Sequence, residues 1–212
     1  MLFASGAGAV TSSDRWHGTW GALGVAAGDA AEYAMLITRY DEPHRHYHTR
    51  RHLDECFAHL DPVRAFAERV GEVELALWYH DAVYEPRRAD NEARSADLAG
   101  SALSRAGAIP VVQERVRALI LATRHDTPPS TPDEALLVDI DLAILAADDA
   151  RFDEYERQVR EEYAWVPTIL FRHKRRAILE GFLARQRICA SGRFPEWEAR
   201  ARANLVRSLA KL

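Results

Sequence analysis

Three short stretches hold the residue types that do chemistry. "EPHRHYHTRRHLDE", residues 42–55, gathers His44, His46, His48 and His52, four of the chain's nine histidines. "WYHDAVY", residues 78–84, sets His80 beside Asp81 in an otherwise apolar run, and "VDIDLA", residues 138–143, places Asp139 and Asp141 in another. Taken singly, each has a plain explanation: a polar interhelical loop, a buried His–Asp pair, a helix with one acid in solvent. A buried charge is costly, however, unless it is paired or bound to a metal. Three polar sites in three elements therefore invite one shared explanation. Two imidazoles and two carboxylates around one ion suit a divalent first-row metal (Mn, Fe, Co, Ni or Zn) better than Ca.

The elements that position these residues read as helix after helix. Ser12 or Ser13 caps a first helix carrying Trp16 and Trp20, an i, i+4 pair. A second begins near His48 and runs to about His59, which puts His48 and His52 on one face. "DPVRAFAERVG" reads as a third, with Asp61 as cap, Pro62 at its first position and Gly71 as stop. "EVELALWYHDAVY" is apolar almost all round and reads as deeply buried. Asp90 or Asn91 caps a helix to Gly107, and Pro110 opens another. "TPDE" is a capping box on Thr131 and Glu134. Residues 138–142 alternate like a strand, but Leu137, Ile140, Ile144 and that strong cap favour a helix. Helices near 149–164, 167–190 and 195–211 complete the chain. No hairpin or βαβ rhythm is present, so the fold class is all-α, one domain over 13–212 behind a flexible start at 1–12.

Composition narrows the function classes. A chain of 212 residues with 48% hydrophobic content fits one domain with a sizeable core. The net charge of −4 and scattered arginines supply no field to grip a nucleic-acid polymer. The two cysteines, Cys56 and Cys189, match no disulfide or metal spacing, and Cys56 reads as a small apolar residue on a helix. No apolar run approaches the ~20 residues that span a bilayer. The expectation is a soluble, cytoplasmic protein without a membrane partner.

The order His … His-Asp … Asp resembles the HD-domain superfamily of metal-dependent phosphohydrolases, which are all-α. The residues that carry the likeness are "RYDEPHRHYHTRRHL", "WYHDAVYEPRRADNEARSA", "ILATRH", "DIDLAIL", "FDEYERQVREEY" and "EARARANL", roughly residues 35–205. Within the superfamily the chain is most similar to a bacterial group of HD phosphohydrolases of about this length. The resemblance implies a single HD-type helical bundle that binds Mn, Co, Ni, Zn or Fe, as one ion or two. It implies hydrolysis of a nucleotide or other small phosphate ester by metal-activated hydroxide.

It also implies roles. His80 and Asp81 become central metal ligands, and Asp141, which precedes leucine as the family's last aspartate does, becomes another. Residues i and i+2 of a helix point to opposite sides, so only one of Asp139 and Asp141 can face the ion. "YHTRRHL" is similar to an element of cyclic-nucleotide phosphodiesterases, distant relatives, in which the second histidine binds metal and the first protonates the leaving oxygen. That likeness makes His52 the ligand and His48 the general acid, with Thr49 where those enzymes carry asparagine. His44 and His46 read as loop or surface residues.

Arg45 is a candidate phosphate contact or a salt bridge to Asp41 or Glu42. Asp90, Asn91, Glu92 and Arg94 open a helix just after the metal segment. That turn could hold phosphate, with Glu92 positioning water, or be a plain capping cluster. His125 ends a helix, where it could reach a second metal or the substrate, or simply meet the helix dipole. Two other function classes remain in view, a di-iron HD-type oxygenase and a non-catalytic metal- or ligand-binding module.

Overall fold

Residues 70–79 are apolar on every side, and such a helix is stable only with neighbours all round. In the computed structural model, which describes residues 11–26 and 29–212, that condition shapes the whole molecule. The helices are α1 (Ser13–Leu23), α2 (Ala30–Tyr40), α3 (Arg50–Leu60), α4 (Val70–Tyr79), α5 (Asn91–Arg105), α6 (Pro110–Ala122), α7 (Pro132–Asp141), α8 (Asp149–Glu162), α9 (Thr168–Ala184) and α10 (Trp197–Leu209). Tight 3-10 turns follow α3 (Asp61–Phe66) and α7 (Leu142–Ala146). There is no strand among the described residues, and no helix among them is long and apolar enough to cross a membrane.

α4 is the central helix. Every residue from Gly71 to Tyr79 is buried, and α1, α3, α5, α6 and α7 pack around it. Trp16 of α1 meets Trp78 of α4 edge-on, ring centroids 5.4 Å apart, and Phe57 of α3 tilts against the same Trp78. Two acids on this helix are buried with partners. Glu72 pairs with Arg115, and Glu74 takes Arg15, Arg64 and the hydroxyl of Thr19. Unpaired, each would cost several kcal/mol.

The sequence expectations change in four places. First, the start of the chain: residues 1–10 lie outside the described residues, but Thr11 and Ser12 are pinned rather than free. Thr11 donates its N–H to Asp54 and its carbonyl accepts from Tyr33, while Ser12 caps α1 through the Arg15 N–H. Second, α2 was given no element by pattern; Asp29 caps it and it buries Leu36 and Tyr40. Third, residues 61–71 do not form one helix. Asp133, at the start of α7, accepts the N–H groups of Glu68 and Arg69 at 2.8 and 3.0 Å and holds the chain open between the 3-10 turn and α4. Gly71 then stops nothing. It lies in the first turn of α4, where a Cβ would come within 2.9 Å of the Ala22 carbonyl carbon, so it permits α1 and α4 to touch. Fourth, α9 ends at Ala184 rather than 190. Glu198 takes the N–H groups of Ile188 and Cys189, and Asp139 takes those of Ala190 and Ser191, which gives this segment partners outside a helix.

Candidate metal centre

Three elements end at one point. α3 brings His52, α4 ends on His80 with Asp81 following, and α7 ends on Asp141. His52 Nε2 lies 3.1 Å from His80 Nε2, 3.1 Å from Asp141 Oδ1 and 3.6 Å from Asp81 Oδ2. His80 Nε2 lies 3.1 Å from Asp81 Oδ2 and 3.5 Å from Asp141 Oδ1. The two imidazoles are almost fully buried.

These separations can be tested against an ion. Donors about 2.1 Å from one cation stand about 3.0 Å apart at right angles and about 3.4 Å at the tetrahedral angle. The five distances, 3.1 to 3.6 Å, run from just above the first value to just above the second. His80 Nδ1 also donates to the Leu77 carbonyl at 2.8 Å, which turns Nε2 toward the cluster, where a metal would take the place of its proton. The donor set fits a divalent metal. Electrostatics agree. Burial pushes the Asp141 carboxyl up, but hydrogen bonds from His125, His52 and His80 hold it well below the usual range. Burial lowers the His80 pKa, and the charge of Asp81 with the Asp141 hydrogen bond more than reverses that. Cationic charge is what this pair of carboxylates draws in.

Cys56 joins the group. His52, Cys56, His80 and Asp141 offer donor atoms within 4.8 Å of one another, and such a group can hold a metal ion. Reading Cys56 as apolar filling overlooked its spacing, one helical turn after His52. Asp139, by contrast, faces the opposite side of α7 and meets neither ion nor solvent. It is fully buried and accepts from Ala190 N, Ser191 N and Ser191 Oγ, at 2.7, 2.9 and 2.5 Å.

His48 sits two residues before α3, not on it, so helix register does not aim it. Glu162, the last residue of α8, does. One oxygen of Glu162 accepts the N–H groups of His46, Tyr47 and His48 at 2.8–3.0 Å. The other accepts from His48 Nδ1 at 2.7 Å and the Tyr84 hydroxyl at 2.8 Å. Burial raises the Glu162 carboxyl, but the charge of His48 and these hydrogen bonds bring it down to about 2. Burial lowers the His48 pKa, and the charges of Glu162 and Asp81 outweigh it, so the imidazole titrates above its ordinary value. With Nδ1 engaged, Nε2 is the nitrogen free to act. The His48 and His52 rings lie 6.1 Å apart. Glu162 lies in the stretch "FDEYERQVREEY" but had no role assigned from sequence, being 114 positions from its partner.

Arg45 is a correction as a phosphate contact, and takes the other reading, the salt bridge to Glu42. Its side chain is fully buried and donates to Glu42 Oε2 and to the carbonyls of His48, Asp81 and Ala82, at 3.1, 3.0, 2.7 and 3.3 Å. The carbonyl-rich end of α4 attracts a cation, and here it consumes the guanidinium that a phosphate would need. Asp90 and Arg94 are corrections too. Asp90 is half-buried and Arg94 exposed, neither lines the groove beside the cluster, and Asp90 is spent on a two-point pair with Arg88 at 2.6 Å. Asn91 closes the preceding loop on Glu85. His44 and His46 are side chains of the loop surface, 40% and 42% exposed.

A groove of about 900 Å³ opens beside the cluster, and His48, Asp81, Glu92, His125 and Asp141 line its inner end. Glu92 is half-buried there, its carboxyl raised by burial and by the Asp81 charge. His125 lies three residues beyond α6 in a left-handed conformation, φ +58°, which costs a non-glycine residue about 1 kcal/mol or more. Its Nε2 lies 3.0 Å from Asp141 Oδ2. The outer wall comes from α9, with Phe171, Lys174, Ile178 and Phe182, and from Arg185 just after it. No protein-family model matches the sequence, and neither the curated proteins nor the solved structures contain a match to it.

Proposed function

We propose that this protein is a metal-dependent phosphohydrolase acting on a nucleotide or other small phosphate ester. One observation carries the reading: the carboxylates of a buried His52–His80–Asp81–Asp141 cluster line the same groove as a Glu162-held His48. It agrees with the resemblance to HD-domain phosphohydrolases seen in the sequence.

His52, His80, Asp81 and Asp141 would hold the ion. When bound, a divalent metal supplies Lewis acidity at phosphorus and a water acidic enough to attack near neutral pH. The chain supplies the remainder. Glu162 keeps His48 oriented through Nδ1 and favours its charged form, so Nε2 holds a proton for the departing oxygen. Glu92, half-buried on the groove wall, orients water. Lys174 and Arg185 give the groove cationic groups for the anionic end of a substrate, while Phe171, Ile178 and Phe182 offer an apolar face to the rest. The groove volume falls within the range of small-molecule sites. A second reading, a di-iron oxygenase, draws on His125, whose contact with the other oxygen of Asp141 would serve a second ion.

The test combines metal analysis with turnover on a panel of nucleotides and phosphodiesters. His80→Ala should lose both metal and turnover; His48→Ala should keep the metal and lose mainly turnover. Full turnover by a metal-free Asp81→Asn protein would sink the proposal. Two irons per chain with oxygen uptake would favour the oxygenase, and tight metal without turnover a binding module.

A further inference from the structure

Cys56 is buried, 1% exposed, and the proposed hydrolysis does not use it. Its sulfur lies 3.8 Å from both ring nitrogens of His52. Nitrogen and sulfur donors about 2.1 and 2.3 Å from one ion stand about 3.6 Å apart at the tetrahedral angle, close to this spacing. His52, His80 and Asp141 are thus common to two donor sets. The Asp81 carboxylate completes one, 3.1 Å from His80 Nε2. The Cys56 sulfur completes the other, in the group whose donors lie within 4.8 Å.

The two sets differ in chemistry and in access. With Asp81 every donor is nitrogen or oxygen, which suits Mn or Fe; with Cys56 one donor is a soft sulfur, which suits Zn and its heavier congener Cd. Asp81 faces the large groove, whereas Cys56 faces a separate cavity of about 210 Å³ that also reaches His52, His59 and Asp141. Each alternative donor therefore lies on its own cavity, and Asp141 lines both.

We infer that the centre sorts metal ions by its fourth donor: Asp81 completes it for hard ions, and Cys56 completes it for thiophilic ones. The inference rests on the metal-centre reading. Binding through sulfur releases the thiol proton to solvent as the metal–sulfur bond forms, with no change of oxidation state.

The test uses the full chain stripped of metal and titrated separately with Cd²⁺ and Mn²⁺, with circular dichroism to confirm that each variant is folded. Wild-type protein should develop a thiolate-to-cadmium charge-transfer band that saturates at one ion per chain. The band should vanish in Cys56→Ser and Cys56→Ala and persist in Cys189→Ser and Asp81→Asn. Removing a ligand should cost at least as much as removing its outer partner, so Mn²⁺ affinity should fall about tenfold or more in Asp81→Asn and stay within about twofold in Cys56→Ser. A band that survives Cys56→Ser, or Mn²⁺ affinity that depends on Cys56 as much as on Asp81, overturns the inference. Normal Mn²⁺ binding with no thiolate band overturns the inference alone, whereas a protein that binds neither ion overturns the metal-centre reading with it.

Discussion

Replacing Glu162 by glutamine separates its charge from its shape. The amide oxygen can still accept the N–H groups of His46, Tyr47 and His48, but the amide NH₂ now points a donor at His48 Nδ1 and the Tyr84 hydroxyl, which both donate to the carboxylate. The magnitude follows from the titration of the pair. A carboxyl brought from 4.5 to about 2 by its folded surroundings represents about 3 kcal/mol of stability. Its folded pKa is depressed, so that contribution is present above about pH 4.5 and is lost as pH falls through about 2. His48 has a raised folded pKa, so its contribution is whole below about pH 6.5 and is lost as pH rises through the folded value. The coupling is complete only between these limits. Urea unfolding of metal-free wild-type and Glu162→Gln protein, from about pH 3 to about pH 9, should show a gap near 3 kcal/mol at about pH 5.5 that narrows toward both ends. A gap of constant size across that range would refute the charge coupling and leave Glu162 a neutral acceptor.

Two further outcomes test the frame around the centre. In Gly71→Ala the new methyl meets the Ala22 and Leu23 backbone at 2.9–3.0 Å, so overpacking of about 1–3 kcal/mol should lower the melting temperature by roughly 2–12 °C. Unchanged melting would show that α1 yields freely. Arg45→Met leaves the His48, Asp81 and Ala82 carbonyls without their donor, at about 1–3 kcal/mol for each carbonyl that stays dry. Denaturant titration should therefore find a less stable protein; a raised KM at unchanged stability would instead return Arg45 to a phosphate-contact role.

What could be read from the sequence follows the reach of each signal. The helices came from periodicity and caps, and the Thr131 cap with the Leu137, Ile140 and Ile144 pattern decided correctly against a strand for α7. His80, Asp81 and Asp141 were visible because each interrupts an apolar run, whereas His52 stood out from its polar, histidine-rich stretch only through a family likeness; the fold brings all four within hydrogen-bonding range of a neighbour. Arg45 was legible in part: its Glu42 partner lies three residues away, whereas its three main-chain carbonyl acceptors have no side-chain signature. Asp133 is a similar case, since it opens residues 67–69 from the start of a distant helix. Glu162 had no role in sequence because one of two adjacent acids at a helix end looks like many others. Cys56 was passed over because a lone cysteine usually packs as a hydrophobe, and only the position of His52 beneath it says otherwise.

Asp139 and Asp141 occupy the last turn of α7 and face opposite ways, one gripping Ala190 and Ser191, the other reaching His52 and His125. That turn works as a crossbar. The segment it grips is also tied by Glu198 at the start of α10, so the C-terminal helix and the ligand sphere hang from one short piece of backbone. On the other side of Asp141, Asn204 of α10 donates to the Leu145 and Ala147 carbonyls, so α10 grips the chain both before and after the ligand. Loss of the C-terminal helix would accordingly be registered at Asp141, and so on the groove wall itself.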